Sequence, residues 1–124
     1  MPEVIATLYK VGEVVSVEGG RSTIIIDTEY VDALLGIEHM DYLDILFWIP
    51  LSRDVLQVHP RGDMARPMRG VFSTRSPVRP NTVGVTGVRL VSRDGATLIV
   101  EGLDALEGTA IIDIKNGSGC HHGT

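Results

Sequence analysis

The chain has 124 residues, of which 44% are hydrophobic and 22% charged, and a formal net charge of −5. That length suits a single domain, one that buries on the order of two-thirds of its unfolded surface. No apolar run approaches the ~20 residues of a membrane span, the lone Cys120 excludes an internal disulfide, and Glu3 stands where an export signal would be basic, so the cytoplasm is the expected compartment.

Short apolar runs rich in Val and Ile recur between turn formers along the whole chain. In order they cover residues 11–17, 23–27, 42–49, 55–59, 70–74, 83–91, 97–101 and 109–114. Runs of this length and spacing predict an all-β fold, an antiparallel sheet closed into a small barrel. Glu18-Gly19-Gly20 supplies a hairpin between the first two strands, and Asp94-Gly95 predicts a type I′ turn further on. Tyr30, Ala33 and Leu34, at i, i+3 and i+4 with Gly36 as a stop, predict a short helix over residues 29–36. A second helical turn is expected over residues 104–106. Phe47 and Trp48 are neighbours in one apolar run, so alternation sends one of them outward, where an aromatic suits a subunit interface. The domain reads as residues 1–115, followed by a Gly-rich tail over residues 116–124.

Charge is distributed unevenly. Arg61, Arg66, Arg69, Arg75, Arg79, Arg89 and Arg93 fall within residues 61–93 beside a single acid, Asp63, while the remainder is strongly acidic. Such a segment is either an anion-facing site or a solvated basic loop.

Inside this segment stands GVFSTRSPVRPNTVG, which runs on to VRL and is followed by GLDALEGT and a strand containing DIK. Upstream lie VGEVVSV, YVDALLGIEHMDYLDILFWIP and VHPRGDMARPMRG. Together, over roughly residues 11–115, these motifs resemble the TsaA-like family, also called the TrmO family. The resemblance implies a small β-barrel that binds S-adenosylmethionine and methylates threonylcarbamoyladenosine in the tRNA anticodon loop. It also implies a homodimer with the cofactor near the subunit boundary. Three departures stand out. The family's RPNPIG reads Arg79-Pro80-Asn81-Thr82-Val83-Gly84 here, its GTP reads Gly108-Thr109-Ala110, and its DIKPY reads Asp113-Ile114-Lys115-Asn116-Gly117. The last of these removes an aromatic that would help shape the pocket.

By the same resemblance the cofactor falls to Val71, Phe72, Ser73, Thr74, Arg75, Ser76, Leu103, Asp104 and the backbone of Thr109, Ala110 and Ile111. Methyl transfer from a sulfonium is an in-line displacement in which the protein binds, aligns and desolvates. Arg75 can hold a carboxylate bidentately, Asp104 can accept from an amine or a ribose hydroxyl, and Phe72 either stacks on adenine or packs in the core. Pro77 and Pro80 stiffen the following loop, so Arg79 and Asn81 are either catalytic groups or parts of a structural turn. Asp113 and Lys115 alternate with Ile112 and Ile114 and so share one strand face, where they serve either catalysis or an ion pair. His59 is a titrating candidate or a surface cap. Cys120-His121-His122 has metal-ligand side chains, but adjacent ligands on one tail make a poor closed site, and no metal is assigned. If tRNA is the partner, Arg61, Arg66 and Arg69 are the expected phosphate contacts; neither DNA nor a membrane is expected. The alternatives are a methyltransferase acting on a small metabolite and a non-catalytic module that binds S-adenosylmethionine or a metal.

Overall fold

The computed structural model describes residues 2–117. In chain order its strands are β1 (Gly12–Glu18), β2 (Arg21–Ile26), β3 (Tyr42–Trp48), β4 (Gln57–Val58), β5 (Arg69–Gly70), β6 (Val83–Asp94), β7 (Thr97–Glu101) and β8 (Ala110–Asn116). Six of them close into an antiparallel barrel in the order β1-β2-β7-β6-β3-β8, and β4 pairs with β5 as a separate ribbon. The all-β barrel read from the apolar runs is therefore present.

Strand alternation builds the core. Leu43, Ile45 and Phe47 of β3 point inward, as do Leu98 and Val100 of β7, and they meet Val14, Ile24, Val88 and Ile111. These side chains fill the ring, as expected of a small closed barrel, so any ligand site has to lie outside it. An irregularity in the β3–β8 register at Leu46/Phe47 leaves Ile112 unpaired. This shift lets Ile111 and Ile114 both reach the core, while Asp113 stays exposed. The closing seam is short. β1 and β8 pair at Gly12↔Ile111 and Glu13↔Ala110, and the seam is extended by Val14 N donating to Thr109 O at 3.0 Å and Gly108 N to Val14 O at 2.7 Å.

Several expectations need correction. The turn between Glu18 and Arg21 has positive φ at both Gly19 and Gly20, which is the type I′ pattern, whereas in the Asp94–Thr97 hairpin only Gly95 is positive. Positive φ at the first central residue alone marks type II′. The expected helix over residues 29–36 is a 3-10 helix, Thr28–Leu34, with a second, Ile37–His39, after a left-handed Gly36. Ala33 faces solvent; Tyr30, Val31, Leu34 and Ile37 pack on the core instead and cap one barrel end. Arg93 ties this cap to β6, donating to Leu34 O at 3.2 Å and to Glu38 Oε1 at 3.1 Å. No helical turn forms over residues 104–106; that stretch is irregular and ends in a turn at Glu107-Gly108. Of the runs 55–59 and 70–74, only Gln57, Val58 and Gly70 (the last paired with Arg69 in β5) are strand, and Val71–Ser73 forms a 3-10 turn. The long β3–β6 connection carries this ribbon and the 3-10 turn, and with them the candidate site.

Candidate functional site

The signature loop starts where Val71, 2% exposed, anchors it. Its backbone carbonyls are satisfied by side chains and turn amides rather than by a sheet ladder. Arg79 donates to Val71 O at 2.9 Å, Ser76 O at 3.2 Å and Thr74 O at 3.4 Å. The Thr74 hydroxyl also donates to Val71 O (2.9 Å) while accepting from Ser76 N (3.2 Å), and Ser73 Oγ donates to Gly70 O at 2.8 Å. Side-chain bonds of this kind compete with regular structure, which explains why an apolar run that looked like a strand folds as a compact turn. Phe72 is thrust outward at 83% exposure, so its core-packing reading fails. Arg75 reaches over β6 and donates to Val85 O at 3.1 Å.

Against this loop the β4–β5 ribbon and the turn after His59 form an open cleft of about 810 Å³. Ser73, Thr74, Arg75 and Ser76 line it together with His59, Arg61, Arg66 and Arg69. Volumes of this order suit a small-molecule or cofactor site. Arg61 has φ +56, the one left-handed non-glycine among the described residues, a strained geometry that tends to gather at functional positions. His59 Nδ1 lies 2.8 Å from Arg66 O; a carbonyl only accepts, so Nδ1 is the donor.

The basic segment divides in two. Arg89 bonds Glu101 Oε1 at 2.6 Å, and Arg21 joins the same carboxylate at 3.0 Å. Arg89 first, then Arg21, hold the Glu101 carboxyl below its usual range. Arg93 is taken by Glu38, whose carboxyl is also lowered, first by a backbone hydrogen bond and then by Arg93. Arg66 leans on Asp63 at 3.5 Å. By contrast, among the described residues no carboxylate lies within 4.0 Å of Arg61, Arg69 or Arg75. Three guanidiniums without acidic partners therefore rim the cleft.

Val71, Phe72, Arg79 and Asn81 belong to the signature loop without lining the cleft, and the remaining sequence-predicted residues lie on other elements. Leu103 packs on the core and Asp104 is exposed, both on the β7–β8 connection. The Thr109 and Ile111 carbonyls accept from Val14 N and Val11 N in the barrel seam, and Ala110 pairs with Glu13. Asp113 and Lys115 are exposed on β8 and ion-paired to each other at 3.3 Å. Register sets Val85, Leu46 and Asp113 in one row across β6, β3 and β8. At ~4.8 Å per strand, Asp113 is about 10 Å from the Val85 carbonyl that Arg75 holds. Cys120-His121-His122 lies outside the described residues.

One arginine escaped the sequence reading. Arg53 lies 4.9 Å above the Trp48 ring centroid and donates to Pro80 O at 3.2 Å and Asn81 Oδ1 at 3.3 Å. It stands outside the basic segment, and the one available signal was the half-buried Trp48 a few residues earlier.

A sequence model of the tRNA-methyltransferase O N-terminal domain matches residues 13–117. The chain belongs to this family. A probable S-adenosyl-L-methionine-binding protein of Methanothermobacter thermautotrophicus is 50% identical over 96 residues, covering 77% of this chain and 68% of that protein. An S-adenosyl-L-methionine-binding protein of Archaeoglobus fulgidus is 44% identical over 98 residues, covering 78% and 69%. Among solved structures, TrmO from P. aeruginosa superposes with a TM-score of 0.74 at 25% identity, over 94% of this chain and 57% of that one. A second TrmO crystal structure gives 0.73 at 26%, over 98% and 61%. This TrmO-family chain thus spans about three-fifths of those solved chains.

Proposed function

We propose that this chain is the S-adenosylmethionine-binding domain of a methyltransferase that modifies tRNA, with threonylcarbamoyladenosine beside the anticodon as acceptor. The observation that carries the reading is the cleft behind the signature loop, rimmed by Arg61, Arg69 and Arg75 without acidic partners. The residues present suit the cofactor: the cleft offers a guanidinium for the methionine carboxylate and a loop whose own carbonyls are already satisfied, and exposed Phe72, on the same loop outside the cleft lining, is available to the purine. The names of the relatives and the family description support the same reading.

In this reading Arg75 binds the carboxylate, Phe72 covers the adenine, and Ser73, Thr74 and Ser76 shape the loop that Val71 anchors. Arg79 keeps that loop in register. When bound, S-adenosylmethionine supplies a methyl group activated on a sulfonium. Asn81 orients the acceptor, and Arg61, Arg66 and Arg69 meet tRNA phosphates. Leu103, Asp104, the Thr109–Ile111 backbone (Thr109, Ala110 and Ile111), Asp113 and Lys115 lie apart from the cleft, so we assign them to the site of a second copy in a homodimer. Exposed Leu106, on the same β7–β8 connection as Asp104, gives that contact apolar area.

The test is transfer of labelled methyl to tRNA bearing threonylcarbamoyladenosine, read by nucleoside analysis. Neutralising Arg61, Arg66 or Arg69 singly is expected to weaken tRNA binding and lower its salt slope by about one ion each. Light scattering is expected to give twice the 13.4 kDa chain mass. A second reading, a cofactor-binding module without transfer activity, is favoured by the mutual engagement of Asp113 and Lys115 and by Asn116-Gly117 in the DIKNG motif. Cofactor binding with no label in any tRNA would decide for the module.

A further inference from the structure

We infer that Arg53 is a positioning residue that fixes the Asn81 carboxamide with its NH2 outward, so that the Arg79-Pro80-Asn81 loop offers a hydrogen-bond donor to the substrate. The inference rests on the proposed function for what the donor meets, but not for how it is held. Three contacts converge on one guanidinium. Its Cζ lies over the Trp48 ring, 4.9 Å from the centroid, while its Nη1 is shared between Pro80 O at 3.2 Å and Asn81 Oδ1 at 3.3 Å. A planar guanidinium can stack by its face and still donate in its own plane, which a lysine ammonium cannot do.

The chemistry decides the direction of the amide. Arginine has five N–H donors and no acceptor, so the group facing it on Asn81 has to be the carbonyl oxygen. Rotating the amide would set NH2 against a cation. The Nδ2 hydrogens therefore point away from Arg53, and Asn81 itself is exposed. Its backbone is held too, since Val83 N donates to Asn81 O at 2.8 Å. Trp48 ends β3 and pairs with Val83 of β6, so the stack ties the loop to the barrel wall through a rigid platform. Asn81 presented this way donates to a carbonyl, carboxylate or ring nitrogen of the substrate and cannot take a proton from it.

Two readouts on the full chain test the inference, and the first is independent of activity. In 15N-resolved NMR, the Asn81 side-chain NH2 pair, assigned by its loss in Asn81→Asp, is expected to be dispersed in wild type. It is expected to collapse toward free-amide positions in Arg53→Ala and Arg53→Lys, while barrel backbone signals stay in place. Emission from Trp48, the only tryptophan in the sequence, is expected to change in both Arg53 variants and not in Asn81→Ala. The second readout is turnover on tRNA. Arg53→Ala is expected to lower kcat about tenfold, with cofactor affinity within twofold of wild type, and to have no further effect on an Asn81→Ala background. Unchanged amide signals and unchanged emission in Arg53→Ala would overturn the inference, as would multiplicative losses in the double variant. If the spectra change as expected but wild type methylates no tRNA, the positioning stands and the proposed function fails.

Discussion

Replacing Arg79 with alanine separates two roles for the most connected side chain of the signature. The guanidinium makes two well-formed bonds, to Val71 O and Ser76 O, and a longer one to Thr74 O. Val71 O keeps Thr74 N at 3.0 Å and the Thr74 hydroxyl at 2.9 Å after the change, so its loss is softened. Thr74 and Ser76 lie in half-exposed surroundings where water can replace the donor. The net cost is then about 1.5–3 kcal/mol, the range for charge-assisted bonds. At roughly 3–5 °C per kcal/mol for a chain of this length, Tm is expected to fall by about 5–15 °C. The loop that carries Arg75 loses its register as well, so the stabilisation given by saturating S-adenosylmethionine in a thermal melt should shrink. Arg79→Lys, with one ammonium in place of a fork, should recover little of it. A variant melting within about 1 °C of wild type, with a normal ligand-induced shift and reduced turnover alone, would refute the clamp and restore Arg79 as a catalytic group.

Gly84→Ala should destabilise by about 1–3 kcal/mol, as overpacking does, because an added Cβ would lie 2.5 Å from two ring carbons of Phe47; thermal melts should show the penalty reduced on a Phe47→Leu background, and an additive loss would contradict the contact. Thr82→Val should raise Tm, since the buried Thr82 hydroxyl has no partner among the described residues and such a group costs about 1–3 kcal/mol; a lower Tm would mean that the hydroxyl is bonded. Glu101 has a lowered carboxyl pKa, so its contribution is present above the unfolded-state pKa and is lost as pH falls through the folded value. Denaturant melts from pH 7 to pH 3 should therefore show wild type losing more stability than Glu101→Gln, and parallel curves would show that the Arg21–Glu101–Arg89 cluster adds nothing.

The barrel was legible because its strands carry their own signal. Inward Leu43, Ile45 and Phe47 alternate with outward residues, and Gly19-Gly20 can turn a hairpin without help from elsewhere. The same signal misled at residues 55–59 and 70–74, where Val and Phe suggested strand. In the second of these the carbonyls are taken by nearby side chains, chiefly Arg79 on the carbonyls of Val71, Thr74 and Ser76, and apolar periodicity carries no signal for such polar side-chain bonds. Residues 29–36 were legible as helical but not as 3-10, because which of Ala33 and Leu34 is buried depends on how tightly the turn winds. In the site, the motif located the loop and the basic segment located the cleft. Charge counting could not foresee that Arg89 and Arg93 face Glu101 and Glu38 while Arg61, Arg69 and Arg75 are left to the cleft. Nor could it reach Arg53, whose partners are set by the β3–β6 register that brings Trp48 beside Val83.

The central claim is that the signature cleft binds S-adenosylmethionine through Arg75, and a calorimetric titration tests it most directly. S-adenosylmethionine and S-adenosylhomocysteine are each expected to give a saturable heat with wild type. Arg75→Ala should weaken both at least tenfold, roughly 1.4 kcal/mol, while melting at the wild-type temperature without ligand, because among the described residues its exposed side chain holds only Val85 O. No heat from either ligand at millimolar concentration, or undiminished binding by Arg75→Ala, would contradict the account.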